Sequence, residues 1–249
     1  MFFSRKALFE QPTRISPWRD KCKRLKENKV DFGFFLRFNK KLQNMSPDEF
    51  IDKILSKLNI KYLMVGDDFK FGKERSGDFD FLSDWGSNNQ IEVDRIPTHS
   101  FKGRRVSSTW IRESIADGNF DLAAKLLDRR YTFSGKVVFG NKVGRTIGVP
   151  TANIWVPKSN LPIKGVYAVK ALVKGETFNG IANMGVRPTV GGTSPVLEIH
   201  IFDFNEEIYG CRIEVEFYQK IRNEKKFENL DKLKEQINLD IAETRKYFS

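Results

Sequence analysis

Two oxygen-bearing side chains at alternate positions, Thr151 and Asn153, are the first candidates for chemistry. On an extended strand, residues two apart share a face, so a hydroxyl and an amide carbonyl point the same way. That donor pair suits a hard cation such as Mg²⁺. Just ahead runs Gly140-Asn141-Lys142-Val143-Gly144-Arg145-Thr146. It lacks the glycine spacing and the Lys-Ser/Thr ending of a Walker motif, which is rejected. Its glycines, with Lys142 and Arg145, can still wrap phosphates through backbone N–H groups and two cations, and an ordinary turn between strands explains the same residues. Downstream, Glu198, His200, Phe202 and Phe204 alternate, polar first and then apolar, on one strand face. The carboxylate is expected to face inward at the mouth of a barrel, where such a group is uncommon without a task. His200 and His99, the chain's two histidines, read as structural or surface residues.

These residues need a scaffold. From Tyr131 onward, short β-type runs are broken by glycine and proline: 132–139, 147–156, 166–173, 177–183, 196–204 and 212–217. That spacing predicts a small antiparallel barrel. A closing helix over 230–248, with Leu230, Leu233, Ile237 and Ile241 at helical spacing, should pack on it. The first half alternates helix and strand signals. Ser46-Pro47-Asp48-Glu49 is a capping box that opens a helix with Phe50, Ile51, Ile54, Leu55 and Leu58 on one face. The run 61–65 then reads as a buried strand ending in Gly66-Asp67-Asp68-Phe69, the order of a parallel α/β sheet. A basic helix over 18–28, a strand over 30–36, a helix capped by Ser107-Ser108-Thr109 and a helical piece over 120–127 complete the expectation. The domains are expected at 1–127 and 131–249.

The bulk numbers fit such a pair of folded domains. The 249 residues are 30% charged and 40% hydrophobic, which argues against wholesale disorder. Cys22 and Cys211 lie far apart, without metal or disulfide spacing, so a reducing, cytoplasmic setting is expected. No apolar run suits a membrane span or a signal peptide. The net charge of +11 invites a nucleic-acid reading. Residues 1–41 hold 12 basic and 4 acidic side chains, an excess of 8, against 17 and 13 in 131–249, an excess of 4. Without aromatics interleaved as a stacking platform, the basic stretch around Lys21 to Lys29 reads as a solvated helix face, and nucleic acid is not expected as a partner.

The stretch Gly144-Arg145-Thr146-Ile147-Gly148-Val149-Pro150-Thr151-Ala152-Asn153 resembles the signature loop and PTAN motif of riboflavin kinases. Five further blocks follow in the family's order: Gly165-Val166-Tyr167-Ala168, Asn183 to Thr189, Glu198 to Phe204, Tyr209-Gly210 and Ile221 to Phe227. The resemblance implies a six-stranded Greek-key barrel that phosphorylates riboflavin to FMN. Thr151 and Asn153 would ligate Mg²⁺ or another divalent cation. Gly140, Lys142, Gly144, Arg145, Pro150, Thr151, Asn183 and Arg187 would hold ATP, with Asn183 and Arg187 on a flap before Pro188. Glu198 would be the general base, and Arg222 and Asn223 would contact the flavin, the family often carrying an acid at the second of these.

The first half resembles the FMN adenylyltransferase domain of the bacterial bifunctional FAD synthetase, on Gly66 to Gly72, Arg75, Gly77-Asp78 and Val106 to Arg112. By that resemblance Asp68, Phe69, Arg75, Ser108, Thr109 and Arg112 form an adenylyltransferase site, the last three at a helix N-terminus that favours phosphate. The fold expected is therefore a truncated Rossmann-like nucleotidyltransferase domain followed by the barrel. Truncated, because the family's Gly-Asn-Phe-Asp-Gly-like turn and His-x-Gly-His pair are not in the sequence. A misassigned start, a fragment or a degenerate form each accounts for that, and adenylyl transfer is expected to be absent or impaired. The rivals to a kinase are a non-catalytic flavin-binding module and a basic nucleic-acid-binding protein. Oligomeric state is not legible.

Overall fold

The computed structural model describes residues 13–140, 144, 148–156, 161–189 and 192–249, with the backbone alone at 187–189 and 192–193. The chain forms two compact units. One is Phe32–Val106; the other joins the stretch ending at Asp31 to Ser107–Ser249. This division departs from the expected 1–127 and 131–249. The basic helix α1 (Trp18–Glu27) and the helices just before Tyr131 go with the barrel. Buried Asp20 accepts bonds from the Ser134 backbone N–H, at 2.9 Å, and from its hydroxyl. Lys23 and Arg24 pair with Glu214, and Arg24 also donates to Thr132 at 2.8 Å. So the helix expected to be solvated turns two of its cations and one of its two acids onto the barrel.

In the first unit, a short helix α2 (Lys40–Gln43) precedes α3 (Pro47–Lys53). The capping box is present as expected. Ser46 Oγ accepts from the Glu49 N–H and Glu49 returns the favour to the Ser46 N–H, both at 3.1 Å. Strand β1 (Tyr62–Gly66) pairs in parallel with β2 (Glu92–Ile96), joined through α4 (Phe79–Asn88), which Asp78 caps. A core of Phe50, Ile51, Leu55, Val65, Phe71 and Leu82 sits beneath, with Phe71 packed on Phe50, Phe69 and Phe81. A small hairpin, β3 (Ser100–Phe101) and β4 (Arg104–Arg105), ends the unit. The strand expected over 30–36 does not form. Its alternation has no partner strand among the described residues, and Phe32, Phe34 and Phe35 are exposed.

The second unit continues with α5 (Ser108–Ala116), capped by Ser107, and α6 (Phe120–Leu127). Six strands among the described residues then close a barrel: β5 (Thr132–Val138), β6 (Ala152–Trp155), β7 (Gly165–Val173), β8 (Glu176–Thr189), β9 (Gly192–Ile201) and β10 (Arg212–Arg222). The order around it is β10-β5-β6-β9-β8-β7, all antiparallel. The chain leaves β6 for the far side rather than for its neighbour, which is the Greek-key connection. Phe133, Ile154, Val169, Leu197, Ile199, Val215 and Phe217 fill the interior and are wholly buried. Helix α7 (Leu230–Phe248) lies on β7, β8 and β10, and over a smaller cluster of Val166, Ile181 and Phe202.

Glu198 does not face inward as its alternation with Phe202 and Phe204 predicts. Leu197 and Ile199 point into the barrel, so Glu198 and His200, which alternate with them, are on its outer face. Phe120, Tyr131, Tyr167 and Phe217 form a buried aromatic group. Tyr167 exchanges hydrogen bonds with the Lys164 backbone, accepting at 2.8 Å and donating at 2.6 Å, and burial pushes its phenol up to about 12. The Tyr131 hydroxyl is buried with no partner among the described residues, and burial raises its pKa further. Removing an unpaired hydroxyl costs nothing, whereas removing a paired one strands its partner. Urea unfolding should therefore find Tyr131→Phe within ~0.5 kcal/mol of the parent, and Tyr167→Phe less stable by ~1–3 kcal/mol.

Candidate active site

The outer face of the barrel assembles the site by strand register alone. Glu198 on β9 stands opposite Asn153 on β6 and opposite Asn183 on β8. Val166 on β7 follows Asn183, and Arg222 on β10 follows Val166. Side chains directly opposite in a ladder share a face with Cβ atoms about 5 Å apart. A carboxylate thus sits between two carboxamides. Asn153 is 5% exposed. A Cβ on Gly140 would run into the Asn153 amide, and one on Gly144 would meet the Val149 carbonyl and come within 3.2 Å of Thr151 Oγ1. The two glycines are therefore needed where the backbone crosses these donors.

A cavity of about 290 Å³ opens beside this row, between the outer face and α7. Thr151, Asn183, Glu198, His200 and Arg222 line it on the barrel side. Val166, Ile181, Phe227, Leu233 and Ile237 supply apolar walls. His200 Nδ1 lies 2.8 Å from the Pro150 carbonyl, which can only accept, so Nδ1 carries the proton. Arg222 is held by the buried Asp240 of α7. A second cavity, about 90 Å³, is lined by the inward-facing Val137 and Ile199 together with Pro150, Phe204, Glu206 and Tyr209. At its rim Phe139 stacks on Tyr209 with centroids 4.2 Å apart. Thr151 lines both cavities.

Of the barrel residues singled out in the sequence, Gly144, Thr151, Asn183, Glu198 and Arg222 meet at the larger cavity, with Asn153 in the same row and Pro150 at the smaller one. Asn223 is exposed and only its carbonyl engages Arg222. Lys142 and Arg145 lie outside the described residues. The backbone at Arg187 pairs with Ser194, and β8 runs on through Pro188, so the segment expected as a flap is one arm of a long hairpin. His200, Glu224, Phe227 and Asp240 went unnoticed as site residues. Glu224, whose carboxylate packs over Gly185, follows the Arg-Asn pair directly. Asp240 precedes Ile241 of the apolar helical series and was hidden by it.

In the first unit, the carboxyl ends of the parallel strands carry a polar cluster. Asp67 accepts from the Thr98 hydroxyl, and Arg105 reaches Asp68 at 2.8 Å and Asp67 at 3.6 Å. The Thr98 bond first, and then the Arg105 charge, hold the Asp67 carboxyl below its usual range. Phe69 packs into the core and Arg75 is exposed. Ser108, Thr109 and Arg112 belong to the other unit, on α5. There Arg112 donates to the Thr13 carbonyl at 2.7 Å and to Ser108 Oγ at 3.4 Å.

The riboflavin kinase family model matches residues 127–248, and the FAD synthetase model matches residues 3–110. The bifunctional riboflavin kinase/FMN adenylyltransferase of Haemophilus influenzae is 45% identical over 240 residues, 96% of this chain and 78% of its own length. This chain belongs to the bifunctional riboflavin kinase/FMN adenylyltransferase family. The Escherichia coli K12 member is 42% identical over 95% of this chain and 76% of its own, and the Pseudomonas fluorescens member 44% over 87% and 70%. A solved structure described as a macrolide-efflux protein from Streptococcus pneumoniae is 31% identical, with a TM-score of 0.81 over 96% of this chain and 79% of that one. The expectation that the adenylyltransferase part has lost its start and its activity finds no support here, since the FAD synthetase model covers residues 3–110 and the relatives carry both names.

The donor set of this family member fits a hard divalent cation. Thr151 and Asn153 offer a hydroxyl and a carbonyl oxygen, in a cradle that a Cβ at Gly140 or Gly144 would fill. Among the described residues no three His, Cys, Asp or Glu side chains are grouped to hold a metal. A cation here would therefore take much of its shell from phosphate and water, as Mg²⁺ does. Gly140→Ala should displace the Asn153 amide and lower kinase turnover at least ~10-fold, with partial recovery at high Mg²⁺. Steady-state rates across a Mg²⁺ titration, beside a thermal melt, measure this.

Proposed function

We propose that the barrel is an ATP-dependent riboflavin kinase in which the larger cavity takes the flavin and the smaller one the nucleotide. The observation that carries this is that the two cavities share Thr151, beside the row Asn153, Glu198, Asn183. The larger has the long apolar walls a tricyclic ring needs. The smaller has an aromatic stack and the Pro150 turn.

Glu198 accepts the proton of the ribityl 5′-hydroxyl as its oxygen attacks the γ-phosphorus in line, and the bond to ADP breaks on the far side. Thr151 and Asn153 would hold a Mg²⁺ ion, which would supply positive charge against the phosphates. The carboxamides of Asn153 and Asn183, one strand away on either side, fix the carboxylate's neighbourhood, so little reorganisation accompanies the reaction. Gly140, Gly144, Pro150 and Arg187, with Lys142 and Arg145, are the proposed ATP contacts, and Arg222 with Asn223 the flavin contacts. Free Cys22 and Cys211 suit a cytoplasmic setting. Among the described residues no helix is long and apolar enough to cross a membrane.

FMN adenylylation is a second proposed activity, favoured by the Asp67, Asp68, Thr98 and Arg105 cluster at the carboxyl ends of the parallel strands, where α/β sheets bind ligands. The 249 residues contain no His-x-Gly-His pair. Chromatography of FMN incubated with ATP and Mg²⁺ separates the two activities, because FAD formation reports on this one alone.

For the kinase, Glu198→Gln should lower FMN formation by ~10²-fold or more while the flavin dissociation constant stays within about twofold. Undiminished turnover would give the base role to another group.

A further inference from the structure

Asp240 is a carboxylate 3% exposed on α7 that lines the larger cavity, and the phosphoryl transfer above makes no use of it. Arg222 Nε lies 2.9 Å from each of its oxygens, and Nη2 lies 2.8 Å from Oδ2. One turn earlier on the helix, Gln236 Nε2 donates to Oδ1 at 2.9 Å. The remaining guanidinium nitrogen, Nη1, donates to the Asn223 carbonyl at 3.0 Å. The Phe227 ring stands 5.7 Å from the guanidinium carbon. All three nitrogens are therefore engaged, and the plane of the group is set before any ligand arrives.

The alternative arrangement shows why this matters. An arginine on a strand end without such a partner keeps several free torsions and turns toward water. Ordering it on binding then weakens affinity. Asp240 removes that cost during folding. Ile237 and Leu233, one and two turns earlier, line the same cavity, so the carboxylate and the apolar walls come from one helix face.

We propose that Asp240 is a positioning residue that fixes the Arg222 guanidinium on the wall of the flavin cavity, and so sets the enzyme's affinity for riboflavin. This rests on the kinase reading, with Arg222 as a flavin contact. Asp240 acts through Arg222 and touches no reacting atom. A plain structural clamp on α7 would instead lower every kinetic constant together, in step with the folded fraction.

The test uses the full chain with riboflavin, ATP and Mg²⁺. Asp240→Asn keeps the shape and one acceptor but loses the charge. It should raise the riboflavin KM by about tenfold, with kcat and the ATP KM within about twofold. Arg222→Lys, which loses the fork, should likewise raise the riboflavin KM. Flavin fluorescence quenching should report the matching loss in FMN affinity. A riboflavin KM within about twofold of the parent in a folded Asp240→Asn overturns the proposal. So does a change in which KM and kcat move together with the folded fraction by circular dichroism. Should Asp240→Asn not fold, Asp240→Glu, which retains the charge but shifts it by one methylene, is judged on the same split. A parent chain that makes no FMN would instead refute the kinase reading.

Discussion

The antiparallel register that places β9 between β6 and β8 is the constraint on which the rest of the site depends. It sets Asn153, Glu198 and Asn183 in one row. A slip by one residue would send Glu198 into the barrel interior and Leu197 out to solvent. Burying an unpaired carboxylate and exposing a wholly buried leucine are both unfavourable, so the core residues that hold the register also hold the chemistry. The site is a by-product of hydrophobic alternation read on its outer side.

That geometry explains the division of labour between barrel and helix. The barrel wall supplies polar groups at fixed spacing, while α7 covers them with Leu233 and Ile237 and carries Asp240 inward. At the helix's other end, Arg245 pairs with Asp203 and sits over the Phe202 ring, and Lys170 lies near the Phe248 ring. The cover is thus tied to the barrel along its length. The aromatic group of Phe120, Tyr131, Tyr167 and Phe217 brings α6 into the same packing, which is why the compact unit extends upstream of Tyr131.

Much of this was legible in the sequence, and what was not has identifiable causes. The six β-type runs, the C-terminal helix and the Ser46 capping box rest on local periodicity and hydrogen bonding, which act within a few residues. The inward expectation for Glu198 failed because Phe202 and Phe204 look like core. Phe202 is buried, but against the outer cluster of Val166 and Ile181 rather than inside the barrel. Asp240 and His200 were missed because their meaning lies in partners 18 and 50 residues away. Helix α4 escaped notice because serine and glycine interrupt its apolar stripe, and β2 because charged residues alternate along it.

On the proposed reading the flavin lies against the outer face of β6, β8 and β9 and the nucleotide on the Ile199 side of β6 and β9, with Thr151 bordering both cavities. A crystal structure of the full chain with FMN, ADP and Mg²⁺ addresses this most directly. The expected result is the isoalloxazine ring between the outer face and α7 beside Arg222, ADP in the smaller cavity against Tyr209, and the FMN phosphate near Thr151 and Glu198. A flavin bound elsewhere on the barrel, with Glu198 far from its phosphate, would contradict it.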